Sequence, residues 1–165
     1  MPPSEEVLET LKTAGRGADN NFAQDELLYR RFMPEQLLKS GRIDLTAFKF
    51  PDIRDGKPLH GMSVNRQKGG GNPEYLLLDH SGWGVFQIAV NDIPTPQYDA
   101  GKPYDFRPIH LPEKNNYFHS EIRCFDVAGL VDPEKPLSKE VLDRWRLRMQ
   151  MKARLAIRPQ QCTSE

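Results

Sequence analysis

The segment 113–125, EKNNYFHSEIRCF, contains the side chains whose types and spacing are best suited to chemistry. His119, Glu121 and Arg123 alternate with mostly apolar residues, which predicts a strand with three ionisable side chains on one face. His119 and Glu121 would lie about 7 Å apart and point the same way. Such a pair suits acid–base catalysis, although the solvated side of a sheet is the simpler interpretation. A metal site needs further ligands at a recognisable spacing, and the sequence predicts none.

Arg30 and Ser63 extend this set of candidate residues. Arg30 lies in LYRRF (28–32), and a guanidinium binds phosphate or carboxylate through two parallel hydrogen bonds, although solvated or ion-paired arginine is the simpler interpretation. In a strand, Arg30 and Arg31 would face opposite ways, so at most one would join a site. Ser63 lies in HGMSVNR, but the chain has no GxSxG motif, which argues against a serine nucleophile. The catalytic hypothesis therefore has Arg30 holding an anion, with Ser63 beside it and His119 and Glu121 as acid and base.

The C-terminal segment predicts a long helix from the capping residue Ser138 to about residue 157. Residues 144–158 include six basic and no acidic side chains, and these could either complement the helix dipole or bind an anionic partner. Apolar residues lie between the charges, which favours a protein partner over nucleic acid. The predicted protein-binding residues are Arg144, Trp145, Arg148 and Lys152.

Other segments predict the elements that position these residues. Residues 4–13, 34–41 (PEQLLKSG) and 73–82 (PEYLLLDHSG) read as helices, because Ser4, Pro34 and Pro73 suit helix starts. Strands are predicted for LTAFKF (45–50), GMSVNR (61–66), WGVFQIAV (83–90) and 118–125, with 83–90 central and covered on both faces. The proline-rich segment 91–112 predicts a long loop. KGGGN (68–72) lacks the spacing of a phosphate-binding loop and predicts a flexible connection.

These elements predict a single α+β domain over 27–158, preceded by an N-terminal helical arm (1–26) and followed by a tail (159–165). The sheet is expected to be mixed or antiparallel and to include 83–90 and 118–125. The terminal helices are expected to cover one of its faces.

Composition limits the classes of function. The 165 residues carry 23 basic and 23 acidic side chains, so no net charge attracts nucleic acid or an anionic membrane. The N-terminus lacks the features of a signal peptide, and no apolar run approaches the roughly 20 residues of a membrane span. Two cysteines, Cys124 and Cys162, fit a reducing compartment. We therefore expect a cytoplasmic protein without a cofactor.

Four short motifs give the chain a resemblance over residues 27–125. LYRRF, TAFKF, MSVNR and PEKNNYFHSEI resemble, in order, a family of small bacterial proteins of no settled function, with a Leu-Tyr-Arg-Arg opening, a Ser-Val strand and a Pro-x-x-x-Asn-x-x-His segment. The resemblance implies that Arg30, Ser63 and His119 belong to one site. It does not extend to the N-terminal arm or the basic helix.

Two functions follow from this reading. The first is a non-enzymatic accessory protein acting within a bacterial protein assembly, through the basic helix and the N-terminal arm. The alternative is an enzyme acting on a nucleotide or phosphodiester through Arg30, Ser63, His119 and Glu121. ADP-ribosyltransferases use an Arg, a Ser-containing strand and a late Glu in this order, although their Ser-Thr-Ser strand and paired acidic turn are absent here.

Overall fold

A computed structural model describes residues 2–49, 61–126, 128 and 137–160 of the chain. Over these residues it forms one antiparallel sheet that curls into a half-barrel, with two α-helices, which agrees with an α+β class. The strand order is β4-β5-β6-β2-β1-β3-β7. The elements are α1 (Glu5–Leu11), β1 (Leu27–Phe32), β2 (Met62–Arg66), β3 (Gly84–Ala89), β4 (Gln97–Asp99), β5 (Lys102–His110), β6 (His119–Phe125), α2 (Lys139–Lys152) and β7 (Arg154–Ile157).

The core lies between one face of this sheet and α2. Successive side chains of a strand point to opposite faces, so alternate residues of the central strands meet on the same side. Trp145 of α2 stacks on Phe106 of β5 with ring centroids 4.9 Å apart, and its Nε1–H donates to Pro94 O at 3.1 Å. The buried cluster around them includes Leu28, Phe32, Met62, Val64, Phe86, Ile88, Ile122, Val141 and Met149.

The helix α2 is shorter than the sequence predicts. It starts at the predicted cap, where Ser138 Oγ accepts from Val141 N, but it ends at Lys152. Ala153 is extended, and residues 154–157 form β7, an edge strand paired with β3. Leu155 and Ala156 therefore lie in a strand, whereas the sequence predicts a helix to about residue 157.

The two helices do not share a face of the sheet, contrary to expectation. Only α2 contributes to the main core, whereas α1 lies against the segment that precedes β6, where Tyr117 N donates to Leu11 O at 2.8 Å. Ser4 caps α1 as predicted.

The rest of the N-terminal arm is fixed by Arg66, which is only 1% exposed. Its guanidinium pairs with Glu26, with Nε to Oε1 and Nη2 to Oε2 both at 2.9 Å. It also donates to the carbonyl groups of Asp19 and Asn21. These hydrogen bonds hold segment 19–26 against the end of β2.

Three predicted elements are short 3₁₀ helices instead. Segment 34–41 is helical only over Pro34–Gln36, because the chain turns back at Gly41 and Leu37 pairs with Ile43. Segment 73–82 is 3₁₀ over Pro73–Leu77. LTAFKF, predicted as a strand, is 3₁₀ over Leu45–Ala47, because Asp44 Oδ1 accepts from Thr46 N at 2.8 Å and starts a helical turn.

Two further expectations about the sheet are wrong. The proline-rich segment 91–112 contains β4 and β5, and β5 is a nine-residue strand paired with β6. The many prolines made the alternating pattern around the buried Phe106 hard to recognise as a strand. The backbone N–H of Phe106 donates to Thr95 Oγ1 at 2.9 Å. Strand β3 is also not central, since β7 alone lies between it and the sheet edge.

The glycine cluster 69–71 is a defined turn. Gly69 and Gly70 have φ of 83° and 95°, in the left-handed region that favours glycine. Gly71 N donates to Gln67 O, and a Cβ on Gly71 would lie 1.9 Å from Arg66 O. The glycines thus serve to turn the chain immediately after Arg66.

Candidate functional site

A cleft of about 650 Å³ opens where β1 and β2 stop pairing. The two strands pair at Leu28↔Arg66 and Tyr29↔Asn65. Beyond these pairs the Arg30 side chain inserts between the strands, and Nη1 donates to Ser63 O at 2.7 Å. The cleft is lined by Arg30, Arg31, Phe32, Met33, Gln36, Thr46, Ala47, Lys49, Ser63, Asn65, Leu76, Trp83, Glu113, Asn116 and His119.

Ser63 and His119 form a hydrogen-bonded pair in this cleft. Asn65 lies opposite His119, and Ser63 opposite Glu121, so these four side chains share a sheet face. His119 Nε2 is 3.0 Å from Ser63 Oγ, and Nδ1 is 2.8 Å from Leu111 O. Since a carbonyl oxygen can only accept, Nδ1 carries a proton. With the Nδ1–H tautomer, Nε2 is the nitrogen that can accept a hydrogen bond from the Ser63 hydroxyl.

Arg30 brings a positive charge to the cleft. Nε donates to Ala47 O at 2.9 Å, and Nη1 to Ser63 O. Among the described residues, no carboxylate lies within 4 Å of this guanidinium. Burial, and to a smaller extent the charge of the adjacent Arg31, lowers the pKa of Arg30 to about 10, so the group stays charged at neutral pH. A guanidinium bonded only to carbonyl groups keeps an uncompensated charge that an anion would stabilise.

Arg31 and Lys49 add two exposed cations to the same cleft. Both arginines line it although they alternate along β1, because the cleft opens between the diverging strands and is accessible from both sides. The pKa of His80 is lowered by burial and then by the charge of Arg31, and Asp79 only partly offsets this. The charge of Arg31 therefore affects the pKa of a neighbouring side chain.

Glu121 is separated from the cleft-lining set. It lies opposite Ser63 in the ladder, but its Oε2 accepts from Arg123 Nε at 2.8 Å, and it does not line the cleft. The carboxylate nearest to His119 is that of Glu113, whose Oε1 is 3.6 Å from Nε2. The structure thus brings together Arg30, Ser63 and His119, with Glu113 in the place where the sequence suggested Glu121.

The predicted protein-binding residues of α2 have different environments. Trp145 is fully buried, so it belongs to the core and offers no surface to a partner. Arg144 and Arg148 are exposed, but Arg144 donates to Tyr98 O at 3.2 Å and Arg148 to Gln97 Oε1 at 3.3 Å. Lys152 is 4.0 Å from Asp92. These charges attach α2 to the segment 92–98.

Arg31, Lys49, Asn65 and Trp83 line the cleft, but sequence reasoning did not select them. The strict alternation of a strand argues against Arg31, and Lys49 lies within LTAFKF (45–50), which is predicted as a strand. Asn116 also lines the cleft, and its Nδ2 donates to Asn65 Oδ1 at 2.8 Å, which ties segment 113–119 to β2. Its position three residues before His119, in the Asn-x-x-His part of the resemblance, was the available signal.

No protein-family model, curated protein or solved structure matches the chain. The described residues contain no helix long and apolar enough to cross a membrane. They also contain no group of three or more His, Cys, Asp or Glu side chains that could hold a metal ion.

Proposed function

We propose that this protein is an enzyme that binds a nucleotide or a phosphodiester in the β1–β2 cleft and uses His119 as its acid–base residue. The observation that carries the proposal is the presence, in one cleft, of Arg30 without a described carboxylate partner and of His119 hydrogen-bonded to Ser63. Guanidinium groups recognise phosphate oxygens, and a histidine with one nitrogen fixed by a carbonyl keeps the other for proton transfer.

The cleft also suits the non-phosphate part of such a ligand. Its volume falls within the range of about 300–1,000 Å³ typical of small-molecule sites. Trp83 and Leu76 supply aromatic and apolar surface, on which a nucleobase would pack. Arg31 and Lys49 at the cleft would stabilise further phosphate oxygens.

The first test is hydrolysis of bis(p-nitrophenyl) phosphate by the purified protein. His119→Asn keeps a donor for Leu111 O but loses Nε2, so we expect the rate to fall by at least about 100-fold. Lys102→Gln, at an exposed residue of β5 that does not line the cleft, is the control and should keep its activity. Equal rates in wild type and His119→Asn would contradict the role of His119.

The second test measures the anion site. Arg31→Gln and Lys49→Gln should each raise KM, or the Kd for ADP, by about tenfold, because each removes one charge-assisted contact to phosphate. Lys102→Gln removes the same charge from the exposed end of β5 and should leave both values unchanged. Failure of the wild type both to bind ADP and to cleave any phosphate ester would refute the proposal.

ADP-ribosyl transfer is a specific version of this proposal. Arg30, Ser63 and Glu121 lie on the adjacent strands β1, β2 and β6, which supports it, whereas the pairing of Glu121 with Arg123 does not. Release of nicotinamide from NAD, lost in Glu121→Gln, would favour this chemistry over hydrolysis of a phosphodiester.

An accessory role in a protein assembly is our second proposal. It is supported by the outer side of α2, where Leu147 is 47% exposed and Met151 64% exposed beside Arg144 and Arg148. The test is capture of a stoichiometric partner by the wild type but not by the Leu147→Glu/Met151→Glu double variant. Monomeric behaviour without any partner in native extract would count against it.

A further inference from the structure

We infer that Ser63 is a nucleophile, which forms a covalent phosphoseryl intermediate with the substrate. This inference rests on the proposed function and adds a covalent step that acid–base catalysis by His119 does not require. A serine hydroxyl is a weak nucleophile until a neighbouring base takes its proton. The described residues place such a base beside Ser63.

The hydrogen bonds around His119 have the direction that activation of a serine needs. Leu111 O fixes the proton on Nδ1, which leaves the lone pair of Nε2 facing Ser63 Oγ at 3.0 Å. This is the nucleophile–base–orienter sequence of serine enzymes, with a backbone carbonyl in the place of the usual acidic residue. Glu113 Oε1, 3.6 Å from Nε2, would stabilise the imidazolium formed when the proton moves.

The two side chains differ in exposure in the way expected of a nucleophile and its base. Ser63 is exposed to the cleft, whereas the His119 side chain is only 12% exposed. A substrate phosphorus can therefore approach Ser63 Oγ, while the sheet and segment 111–119 hold the imidazole in place. The GxSxG signal is absent because Ser63 lies within a strand instead of on a strand-to-helix turn.

The positive charge that would activate the phosphate is hydrogen-bonded to the backbone of the same residue, Ser63. Arg30 Nη1 donates to the carbonyl oxygen of Ser63, which holds a guanidinium next to the position that the attacked phosphate would occupy. Asn65, two residues along β2 on the same face, lines the cleft as well. Developing charge on the phosphoryl oxygens would thus meet donors already in place.

The reaction balances without a further reagent. Ser63 Oγ forms a bond to phosphorus, its proton moves to His119 Nε2, and the bond from phosphorus to the leaving alcohol breaks as that alcohol takes the proton. Water then attacks the phosphoseryl phosphorus, giving one proton to Nε2, and Ser63 leaves and recovers it. The net change is hydrolysis of a phosphodiester to a monoester and an alcohol.

The test uses two probes on the full chain: bis(p-nitrophenyl) phosphate in acid-quenched rapid mixing, and diisopropyl fluorophosphate, which needs no turnover. We expect a burst of p-nitrophenolate stoichiometric with protein and an adduct from each probe on tryptic peptide 55–66. Ser63 is the one serine of this peptide. Ser63→Ala should lose burst and adduct and retain ADP binding, and His119→Asn should label at least about 100-fold more slowly. Ser138→Ala is the matched serine control and should label like the wild type.

The outcomes separate this inference from the proposed function. Hydrolysis that depends on His119 but proceeds unchanged in Ser63→Ala, without an adduct, would mean that His119 activates water directly, so only the covalent step would be refuted. Absence of labelling by both probes would refute it as well. If the wild type neither bound ADP nor hydrolysed the phosphodiester, the proposed function itself would be refuted.

Discussion

Arg30 and Arg66 show how one residue type serves two purposes on adjacent strands. Arg66 is buried with a carboxylate partner, and its hydrogen bonds hold the N-terminal arm against β2. Among the described residues, Arg30 donates to two carbonyl groups at the opening of a cleft. The first arrangement has its charge balanced within the fold, whereas the second leaves charge available to a ligand. At the residue scale, the hydrogen-bond partners of an arginine distinguish one that stabilises the fold from one whose charge is available to a ligand.

The buried pair gives a stability prediction. Glu26→Gln keeps the shape of the side chain but leaves Arg66 charged and buried without a carboxylate, so the free energy of unfolding should fall by about 3 kcal/mol. Urea denaturation measures this, and Glu9→Gln is the control, since the Glu9–Lys12 pair is exposed. A Glu26→Gln protein as stable as the wild type would mean that the arm does not depend on this pair.

The sequence led to part of the site because residue type and the resemblance pointed to the same side chains. Arg30, Ser63 and His119 were selected on residue type, and all three line the cleft. Arg31 was set aside by the alternation rule, which assumes that β1 stays paired with β2. The point at which β1 and β2 diverge depends on tertiary packing around Ala47, and no local sequence pattern predicts it.

At the scale of elements, strands with clear alternation were predictable and the others were not. β2 and β6 follow apolar alternation and β3 is a continuous apolar run, so the sequence predicts their positions to within a residue or two. The sequence does not predict β4 and β5 because their segment is rich in proline. It does not predict β7 because that strand follows directly on α2. Short 3₁₀ segments replaced predicted helices because side-chain caps and close turns fix a few residues at a time, below the length that helical periodicity can detect.

His110 couples the arm to β5 and gives a pH dependence. Its Nδ1 accepts from Asp19 N at 2.9 Å, and Nε2–H donates to Tyr117 O, so the folded state holds a neutral ring. Burial lowers the pKa of His110 below its usual 6.5, only partly offset by the Tyr117 bond. Between the lowered pKa and 6.5 the unfolded chain binds more protons than the folded one, so stability falls as pH falls below about 6.5.

Urea unfolding at about pH 7.5 and about pH 5.5 tests this dependence. The wild type should be less stable at the lower pH, and His110→Asn should lose less stability between the two conditions. Part of the dependence should remain, because the pKa of His80 is also lowered. An identical loss in His110→Asn would show that another group is responsible.

At the scale of the whole molecule, the sheet order assembles the cleft from distant parts of the sequence. Arg30, Ser63 and His119 reach one place because β1, β2 and β6 are neighbours, an order that the sequence did not predict. The equal numbers of basic and acidic residues leave no long-range field for a polyanion. The charges of α2 are engaged with segment 92–98 and with Phe48 O, to which Arg146 Nε donates at 3.0 Å.

We therefore predict no binding of duplex DNA or RNA at physiological salt. Fluorescence anisotropy with a labelled duplex measures this. Micromolar or tighter binding whose affinity falls with salt, with a log–log slope of about −0.9 per phosphate contacted, would contradict the prediction and assign the basic helix to nucleic acid.

An NMR titration of the ¹⁵N-labelled protein with ADP tests the central claim, that the β1–β2 cleft is an anion site, most directly. The backbone amides of Ser63, Asn65 and His119 and the Nε–H of Arg30 should shift together and saturate, with weaker saturation in Arg31→Gln. Lys102→Gln should titrate like the wild type. Shifts confined to Arg144, Arg148 and their neighbours on α2, or no saturable shift at all, would contradict the account.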